Sequence, residues 1–209
     1  MAFRDHSLDD KIIIAAKKEF SEKGYSGASL RRIAEKAGAT VGAIQTRYKS
    51  KDELFGHLLK PLLDGIEALF QNARSEYYSG AEEDFFAGLK ISMQHESAAI
   101  LHLIFDHYEE AILLLCRSAG SSFEHYFDGL VQSKVKESAA FFRAEGVDDI
   151  DEKLLGLLIS AQFDSYRRIV AECTDRKTAE RYMDVMMIYP LGDWAAFLGS
   201  VKITGGKVT

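Results

Sequence analysis

The sequence contains few of the residues that interrupt helices or cross-link a chain. Only two prolines and two cysteines occur among its 209 residues. Because proline breaks helices and is confined to the edges of sheets, this low content favours a mostly helical chain. The two cysteines, Cys116 and Cys173, are too few for a disulfide framework or a cysteine zinc module.

Long apolar runs are also absent. No uncharged stretch approaches the roughly 18 apolar residues that a membrane helix needs. The amino end, MAFRDHSLDDKIII, lacks the basic and then apolar order of a signal peptide, so we expect a cytoplasmic protein. With 47% hydrophobic and 28% charged residues, the composition is that of a folded globular chain rather than a disordered one.

The charge is unevenly distributed along the chain. The net charge of −6 argues against binding to nucleic acid if it is averaged over all residues. Residues 1–60, however, hold twelve lysines and arginines against eight aspartates and glutamates, whereas the remainder holds fourteen against twenty-four. A basic amino end on an acidic body predicts that the amino end meets a polyanion, although chance can also produce such an asymmetry.

The first sixty residues show the start and stop signals of four helices. The expected starts are Ser7, Ser29, Thr40 and Ser50, and the first three helices end at Gly24, Gly38 and Tyr48. Pro61 predicts a kink or a break in the fourth helix. Two short helices joined by Ala-Gly-Ala-Thr, after a longer one, form the helix-turn-helix pattern. A small helical bundle of another kind can contain the same turn.

Cations at the helix starts favour the DNA-binding interpretation. Arg31, Arg32 and Lys51 oppose the helix dipole there, by a few tenths of a kcal/mol each. A phosphate docked at those helix ends would explain the placement. Gly42 costs about 1 kcal/mol relative to alanine within a helix, and it allows close approach either to DNA or to the first helix.

One stretch resembles the DNA-binding domain of TetR-family transcriptional regulators. It starts at Ile14 and reads IAAKKEFSEKGYSGASLRRIAEKAGATVGAIQTRYKSKDELF. The resemblance includes the Gly24-Tyr25 turn, the Ser-Leu-x-x-Ile-Ala of the second helix, and Val41-Gly42 at the start of the third. It implies an all-α fold of about nine helices. A three-helix helix-turn-helix domain (residues 1–50) is joined through a long helix to a ligand-binding and dimerisation domain (residues 51–209).

The resemblance also implies which residues contact DNA. The candidates are Ser29, Arg31, Thr40, Val41, Gly42, Ala43, Gln45, Thr46, Arg47, Tyr48, Lys49 and Lys51. Gln45 stands where the family usually has an aromatic residue, and Arg47 where it often has histidine. A glutamine can pair with adenine through two hydrogen bonds, and an arginine would strengthen a phosphate contact.

The acidic body predicts further helices and a dimer interface. Helices are expected over Phe85–Ile104 and Ala111–Cys116, after Ser121 or Ser122, and from Asp151 onward. The last two helices are apolar on more than one side, which favours pairing about a twofold axis into a four-helix bundle. TetR-like proteins dimerise there. The candidate interface residues are Leu158, Tyr166, Met183, Met187 and Trp194.

In the family that the chain resembles, the middle helices enclose a small-molecule pocket. The candidate lining residues mix aromatic and polar side chains: His95, His102, Phe105, Tyr108, Phe123, Tyr126, Phe127, Gln162 and Tyr166. Ordinary core or dimer packing is the alternative explanation for each of them. The abundance of Phe, Tyr and Met suggests an apolar or aromatic effector.

The sequence therefore predicts a ligand-responsive transcriptional regulator, most often a repressor in this family. It would bind a palindromic double-stranded DNA operator as a homodimer, without a metal or cofactor. A helix-turn-helix protein without an effector is the first alternative. An enzyme is the second, but the sequence lacks H-E-x-x-H, G-x-S-x-G, the P-loop and the dinucleotide fingerprint. His95 and His102 also lack the spacing of a helical zinc site.

Overall fold

The computed structural model of the protein describes residues 6–77, 85–144, 146–186 and 202–203. These residues form nine helices and one pair of two-residue antiparallel strands, which confirms the predicted all-α class. The helices are α1 (His6–Gly27), α2 (Leu30–Ala37), α3 (Val41–Arg47), α4 (Lys51–Tyr77), α5 (Phe85–Asp106), α6 (Tyr108–Cys116), α7 (Tyr126–Ala144), α8 (Glu152–Glu172) and α9 (Arg176–Met186). The strands are β1 (Val147–Asp148) and β2 (Lys202–Ile203).

The chain divides into two compact units. The amino-terminal unit contains the described residues up to Gly65 together with Asp106–Glu124. The carboxy-terminal unit contains the described residues between Ile66 and Phe105 and those from His125 onward. Helix α6 and the segment after it thus belong to the same unit as α1 to α3, which the sequence did not suggest. The functional boundary expected between residues 50 and 51 stays a prediction.

The short helices of the amino-terminal unit begin and end at the predicted residues. The Ser29 side chain accepts a hydrogen bond from the Arg31 N–H and so caps α2, and Gly38 ends α2 with a φ of 64°. The Thr40 side chain caps α3 in the same way. Gly24 interrupts α1 with a φ of 66° and a ψ of 171°, and one further helical turn follows it. Local sequence is sufficient to set the boundaries of α2 and α3, because each cap is a side chain within three residues and a glycine with positive φ ends α2.

Aromatic side chains fill the centre of the amino-terminal unit. The rings of Phe20 and Phe55 meet edge to face at 4.9 Å, and Tyr25 lies 5.2 Å from Phe55. Phe20 and Phe55 are fully buried, as are the aliphatic residues Ile12, Ile33, Ile44, Leu54 and Leu59. Each such side chain stabilises the fold by about 1.5–3 kcal/mol through burial.

The sequence predicted a kink or a break at Pro61; helix α4 continues through this residue, so the break is wrong. Pro61 and His57 are both exposed, whereas Leu58 and Leu62 on the other side are buried. Proline removes the hydrogen bond to the carbonyl four residues earlier, here that of His57. Because that carbonyl lies on the exposed side of α4, water can replace the missing donor and the helix persists.

Helix α8 begins where the sequence predicts, and helix α7 begins later. Asp151 caps α8 as expected, by accepting from the N–H groups of Lys153 and Leu154. Helix α7, however, starts at Tyr126 and not directly after Ser121 or Ser122. The Ser122 N–H and hydroxyl both donate to Asp52, at 2.9 and 2.6 Å, and the Ser121 hydroxyl accepts from the Phe123 N–H at 3.1 Å, so residues 122–125 form a turn before α7. The Ser122 side chain is thus bound to a carboxylate seventy positions away in the sequence.

Candidate nucleic-acid interface

Helix α3 buries one side and exposes the other. Ile44 is fully buried against the core of the amino-terminal unit. Gly42, Gln45 and Thr46 are exposed, and their spacing of three and four residues places them on one side of the helix. We call these three residues the α3 face. It is the exposed surface of the helix that the helix-turn-helix pattern assigns to base contacts.

Gly42 leaves space beside the α3 backbone. A Cβ atom added to it would have one neighbouring atom within 4 Å, the Thr40 Oγ1 at 3.9 Å. The alternative that this position is glycine because it packs closely against α1 is therefore wrong. Its φ is not positive, so the backbone does not require glycine either. Gly42 leaves the exposed side of the α3 backbone without a side chain at this position.

Three of the candidate DNA contacts have a role in the fold itself. Ser29 and Thr40 are the caps of α2 and α3. The Thr46 hydroxyl donates to the Gly42 carbonyl at 2.9 Å, which directs its proton back to its own helix. Val41 and Ala43 are half-buried, and Tyr48 is buried with its ring 5.1 Å from that of His57.

Arg47 is less available than the sequence suggested. Its Nε donates to Asp9, and its Nη1 donates to the Ala43 carbonyl at 3.1 Å. The side chains of Arg47 and Asp9 are both mostly buried. The expected phosphate contact would have to use the donors that these bonds leave.

Lys51 binds to the carboxyl end of α1. Its ammonium donates to the carbonyls of Tyr25 and Ala28, at 2.8 and 3.2 Å, and lies 4.2 Å from the centre of the Tyr25 ring. Carbonyls at the end of a helix attract cations. The unfavourable position of Lys51 at the start of α4 is thus compensated within the protein, and a docked phosphate is not needed to explain it.

Arg32 is also explained by the fold, through Glu19. The carboxylate of Glu19 is fully buried and accepts from Arg32 at 2.6 Å and from Lys36 at 2.9 Å. Burial raises the pKa of Glu19, but the bonds from Lys36 and Arg32 outweigh it, and the pKa lies below its usual value. The sequence contained one indication that Glu19 is buried, because this residue lies in the apolar stripe of the first helix.

Two predicted cations are exposed and have no ion-pair partner among the described residues. They are Arg31, in the first turn of α2, and Lys49, between α3 and α4. The Lys49 N–H donates to Glu53, which fixes the backbone and leaves the ammonium exposed. With the α3 face, these residues form the exposed part of the predicted DNA surface.

The predicted ligand residues are divided between the two units. His95 and His102 are exposed. Tyr108 and Phe123 belong to the amino-terminal unit, where the Phe123 ring lies 6.1 Å from that of Phe55. The other predicted residues belong to the carboxy-terminal unit, namely Phe105, Tyr126, Phe127, Gln162 and Tyr166.

Within the carboxy-terminal unit, four rings and a polar cluster are connected. The rings of Tyr126, Phe127, Phe163 and Tyr166 follow one another at 5.6, 5.9 and 6.1 Å. The Tyr166 hydroxyl donates to Ser97 at 3.0 Å and accepts from Gln162 at 3.2 Å. Burial raises the pKa of Tyr166 to about 12.

Sequence reasoning missed a charged pair in the same unit. Lys134 donates to both carboxylate oxygens of Glu96, at 2.7 and 2.9 Å, and both side chains are mostly buried. Neither residue stands out in the sequence, because each occupies an ordinary position within a polar stretch of its helix.

Two of the predicted dimer residues lie inside the carboxy-terminal unit. Tyr166 is 2% exposed and Met183 is 3% exposed, so they form its core and offer almost no surface to a partner. Leu158 is half-buried, and Met187 and Trp194 lie outside the described residues. The large apolar side chains that α8 and α9 do expose are Leu154, Leu157, Tyr182 and Val185.

The described residues contain no group of three or more His, Cys, Asp or Glu side chains that could hold a metal ion. None of the described helices is both long and apolar enough to cross a membrane.

Comparison with known proteins identifies the amino-terminal unit. The sequence model of the bacterial regulatory proteins of the tetR family matches residues 12–58, from the first helix into α4. A Bacillus subtilis protein named "Probable HTH-type transcriptional regulator YttP" is 33% identical over 100 residues, which cover 48% of this chain and 42% of that protein. The chain thus spans about half the length, or less, of the curated relatives that it matches.

Solved structures share the fold over nearly the whole chain. A TetR-like transcriptional regulator from Rhodococcus sp. RHA1 superposes with a TM-score of 0.60 at 15% identity, covering 93% of this chain and 99% of that one. The ketosteroid transcriptional regulator KstR2 of Mycobacterium tuberculosis gives 0.55 at 20% identity, covering 96% and 97%. The predicted resemblance to the tetR family of bacterial regulatory proteins is confirmed over residues 12–58.

Proposed function

We propose that this protein is a regulator of the TetR family, namely a ligand-responsive repressor that binds a palindromic operator as a homodimer. The observation that carries the proposal is the α3 face, where Gly42, Gln45 and Thr46 are exposed beside a bare stretch of backbone. In a helix-turn-helix protein, this helix enters the major groove and its exposed side chains meet base edges.

The exposed cations would supply the part of the DNA affinity that does not depend on the base sequence. Arg31 and Lys49 have no ion-pair partner among the described residues, so they can bind phosphates without losing an internal bond. Arg47 and Lys51 stay candidates through the donors that their internal bonds leave. Their substitution would also weaken the amino-terminal unit, because Lys51 binds the end of α1 and Arg47 binds Asp9.

Exposed apolar residues on α8 and α9 support the homodimer. Leu154 and Leu157 on α8, and Tyr182 and Val185 on α9, are large apolar side chains in contact with water. Pairing the two helices with those of a second copy would bury them in a four-helix bundle. Two copies would then read half-sites about one helical turn apart.

The ring series and polar cluster of the carboxy-terminal unit support a small, largely apolar or aromatic effector. Phe127 and Phe163 would offer ring surface, and Gln162 beside Tyr166 would offer hydrogen bonds. The alternative is a helix-turn-helix protein without an effector. It is favoured by the bond between Tyr166 and Ser97, because two buried polar groups that satisfy each other need no ligand.

The test is a binding measurement on the DNA upstream of the protein's own gene. Footprinting locates the site, and fluorescence anisotropy then compares that duplex with a scrambled one. We expect dissociation constants on the order of nanomolar for the site, with log affinity falling by about 0.9 per neutralised phosphate for each tenfold rise in salt. Equal affinity for the scrambled duplex would contradict the proposal.

A thermal-shift screen with small aromatic and apolar compounds decides between the two forms of the proposal. A compound that raises the unfolding temperature and releases the operator supports the ligand-responsive repressor, because binding to the folded state stabilises it. If no compound in a broad set shifts the unfolding temperature, the protein without an effector is favoured.

A further inference from the structure

We infer that Gln45 selects an adenine, so that its side-chain amide fixes one A·T base pair in each half-site of the operator. The inference rests on the proposed function, because it requires α3 to enter the major groove. It goes beyond that function in naming the base and the side chain that distinguishes it.

The Gln45 amide is the polar group of α3 that the fold leaves unused. The side chain is exposed, and no described residue forms a hydrogen bond with it. The other two polar side chains of α3 are engaged: the Thr46 hydroxyl donates to Gly42, and the Arg47 guanidinium donates to Asp9 and Ala43. Gln45 is thus the α3 side chain with both a donor and an acceptor available.

The surface around Gln45 permits close approach. Gly42 lies three residues earlier on the same side of α3, and it presents no side chain there. A Cβ at Gly42 would meet one atom within 4 Å, Thr40 Oγ1 at 3.9 Å, so the backbone is open on this side. A glutamine side chain is short, and it reaches a base edge when the backbone beside it can come near the groove floor.

Adenine is the base that matches an amide with one donor and one acceptor. Its major-groove edge presents N7, an acceptor, beside the N6 amino group, a donor. The Gln45 Nε2 would donate to N7, and its Oε1 would accept from N6. Guanine presents two acceptors in these positions, so one half of the amide would be left without a partner.

The test uses a modified base. Selection from randomised duplexes first defines the half-site that the wild-type protein prefers. Each adenine of the half-site is then replaced by 7-deazaadenine, which keeps its pairing with thymine and loses N7. We expect one position, and its twofold mate, where this change weakens the wild-type protein by about tenfold per half-site.

Variants connect that position to Gln45. Gln45→Ala should bind the unmodified operator more weakly and be indifferent to 7-deazaadenine at the same position. Gln45→Arg should come to prefer guanine there, because arginine pairs with its two acceptors. Lys49→Ala is the matched control: it should weaken all duplexes alike and keep the sensitivity to 7-deazaadenine.

The outcomes separate two failures. If the wild-type protein shows no sequence preference, the proposed function fails. If it binds a selected operator but 7-deazaadenine has no effect at any position, or Gln45→Ala keeps the full effect, the adenine inference is overturned. Thermal unfolding of Gln45→Ala verifies the fold, and the exposed position of Gln45 predicts no change there.

Discussion

The buried carboxylate of Glu19 links α1 to α2 through bonds to Arg32 and Lys36. We expect Glu19→Gln to lower the free energy of unfolding by about 2 kcal/mol, because it weakens two charge-assisted hydrogen bonds. Urea denaturation measures the change. Glu22→Gln is the control: Glu22 is exposed and lies 3.4 Å from Lys36, so we expect less than about 0.5 kcal/mol. An equal effect of the two variants would contradict this role of Glu19.

The Glu19 carboxylate also makes the free energy of unfolding depend on pH in the acidic range. The pKa of Glu19 is lower in the folded protein than its usual value of 4.5, so its contribution is complete above about pH 4.5 and is lost as the pH falls through the folded pKa. We therefore expect the stability difference between wild type and Glu19→Gln to shrink over that range. Asp52 and Glu110 also have lowered pKa values and are present in both proteins, so the difference isolates Glu19. A difference that stays constant with pH would contradict the assignment.

Substitution of Gly42 should change the stability of the protein and its binding to DNA in opposite directions. Gly42→Ala should raise the free energy of unfolding by about 0.5–1 kcal/mol, because alanine favours the helix and the new Cβ has room. The same methyl group would stand on the α3 face and hold the backbone away from DNA. We expect weaker operator binding, measured by anisotropy, from a protein that unfolds at higher temperature. Unchanged or tighter binding would show that α3 does not approach DNA on this side.

At the scale of elements, two neighbouring lysines differ in role. Lys51→Ala removes the bonds to the carbonyls at the end of α1, so we expect a loss of about 1–2 kcal/mol of unfolding free energy. Lys49→Ala should leave stability unchanged and reduce the salt dependence of DNA binding by about one phosphate. Chemical denaturation and anisotropy at several salt concentrations separate the two. If Lys51→Ala lowers the salt slope without loss of stability, its DNA role is the primary one.

Helix boundaries were predictable where the deciding side chain is close in sequence. Ser29, Thr40 and Asp151 cap their helices because each accepts from an N–H within three residues. Ser122 was not predictable, because its partner Asp52 lies on another element. Lys51 was misread for the same reason. The sequence gives its position at a helix start, whereas the carbonyls that bind it belong to α1.

For the candidate DNA interface, the sequence likewise indicated the local features and missed the contacts between distant residues. The motif located α3, and the period of the helix indicated that Gln45 and Thr46 share a side. The sequence did not reveal that Arg47 donates a hydrogen bond to Asp9, because the two residues lie 38 positions apart. A helix-turn-helix motif thus predicts which helix meets DNA, while the cations available for phosphates follow from tertiary contacts.

At the scale of the whole molecule, the apolar residues of the last helices led to the prediction of a dimer but did not indicate which of them face a partner. Leucines on several sides of α8 indicated a second partner, but periodicity alone does not say which stripe packs inside the unit. In the structure Tyr166 and Met183 are in the core, and Leu157 is 62% exposed. The surface proposed for the dimer therefore differs from the residues first chosen.

Leu157 provides the test of this surface. Leu157→Asp places a charge where two copies of α8 would meet, and burying an unpaired charge is strongly unfavourable. We expect sedimentation velocity to show a monomer, circular dichroism to show unchanged helix content, and the palindromic operator to be bound far more weakly. Ile14→Asp is the matched control, because Ile14 is 68% exposed but lies on α1 in the other unit. It should remain a dimer. If both variants stay dimeric, subunits associate through another surface, and the four exposed side chains of α8 and α9 have a different partner.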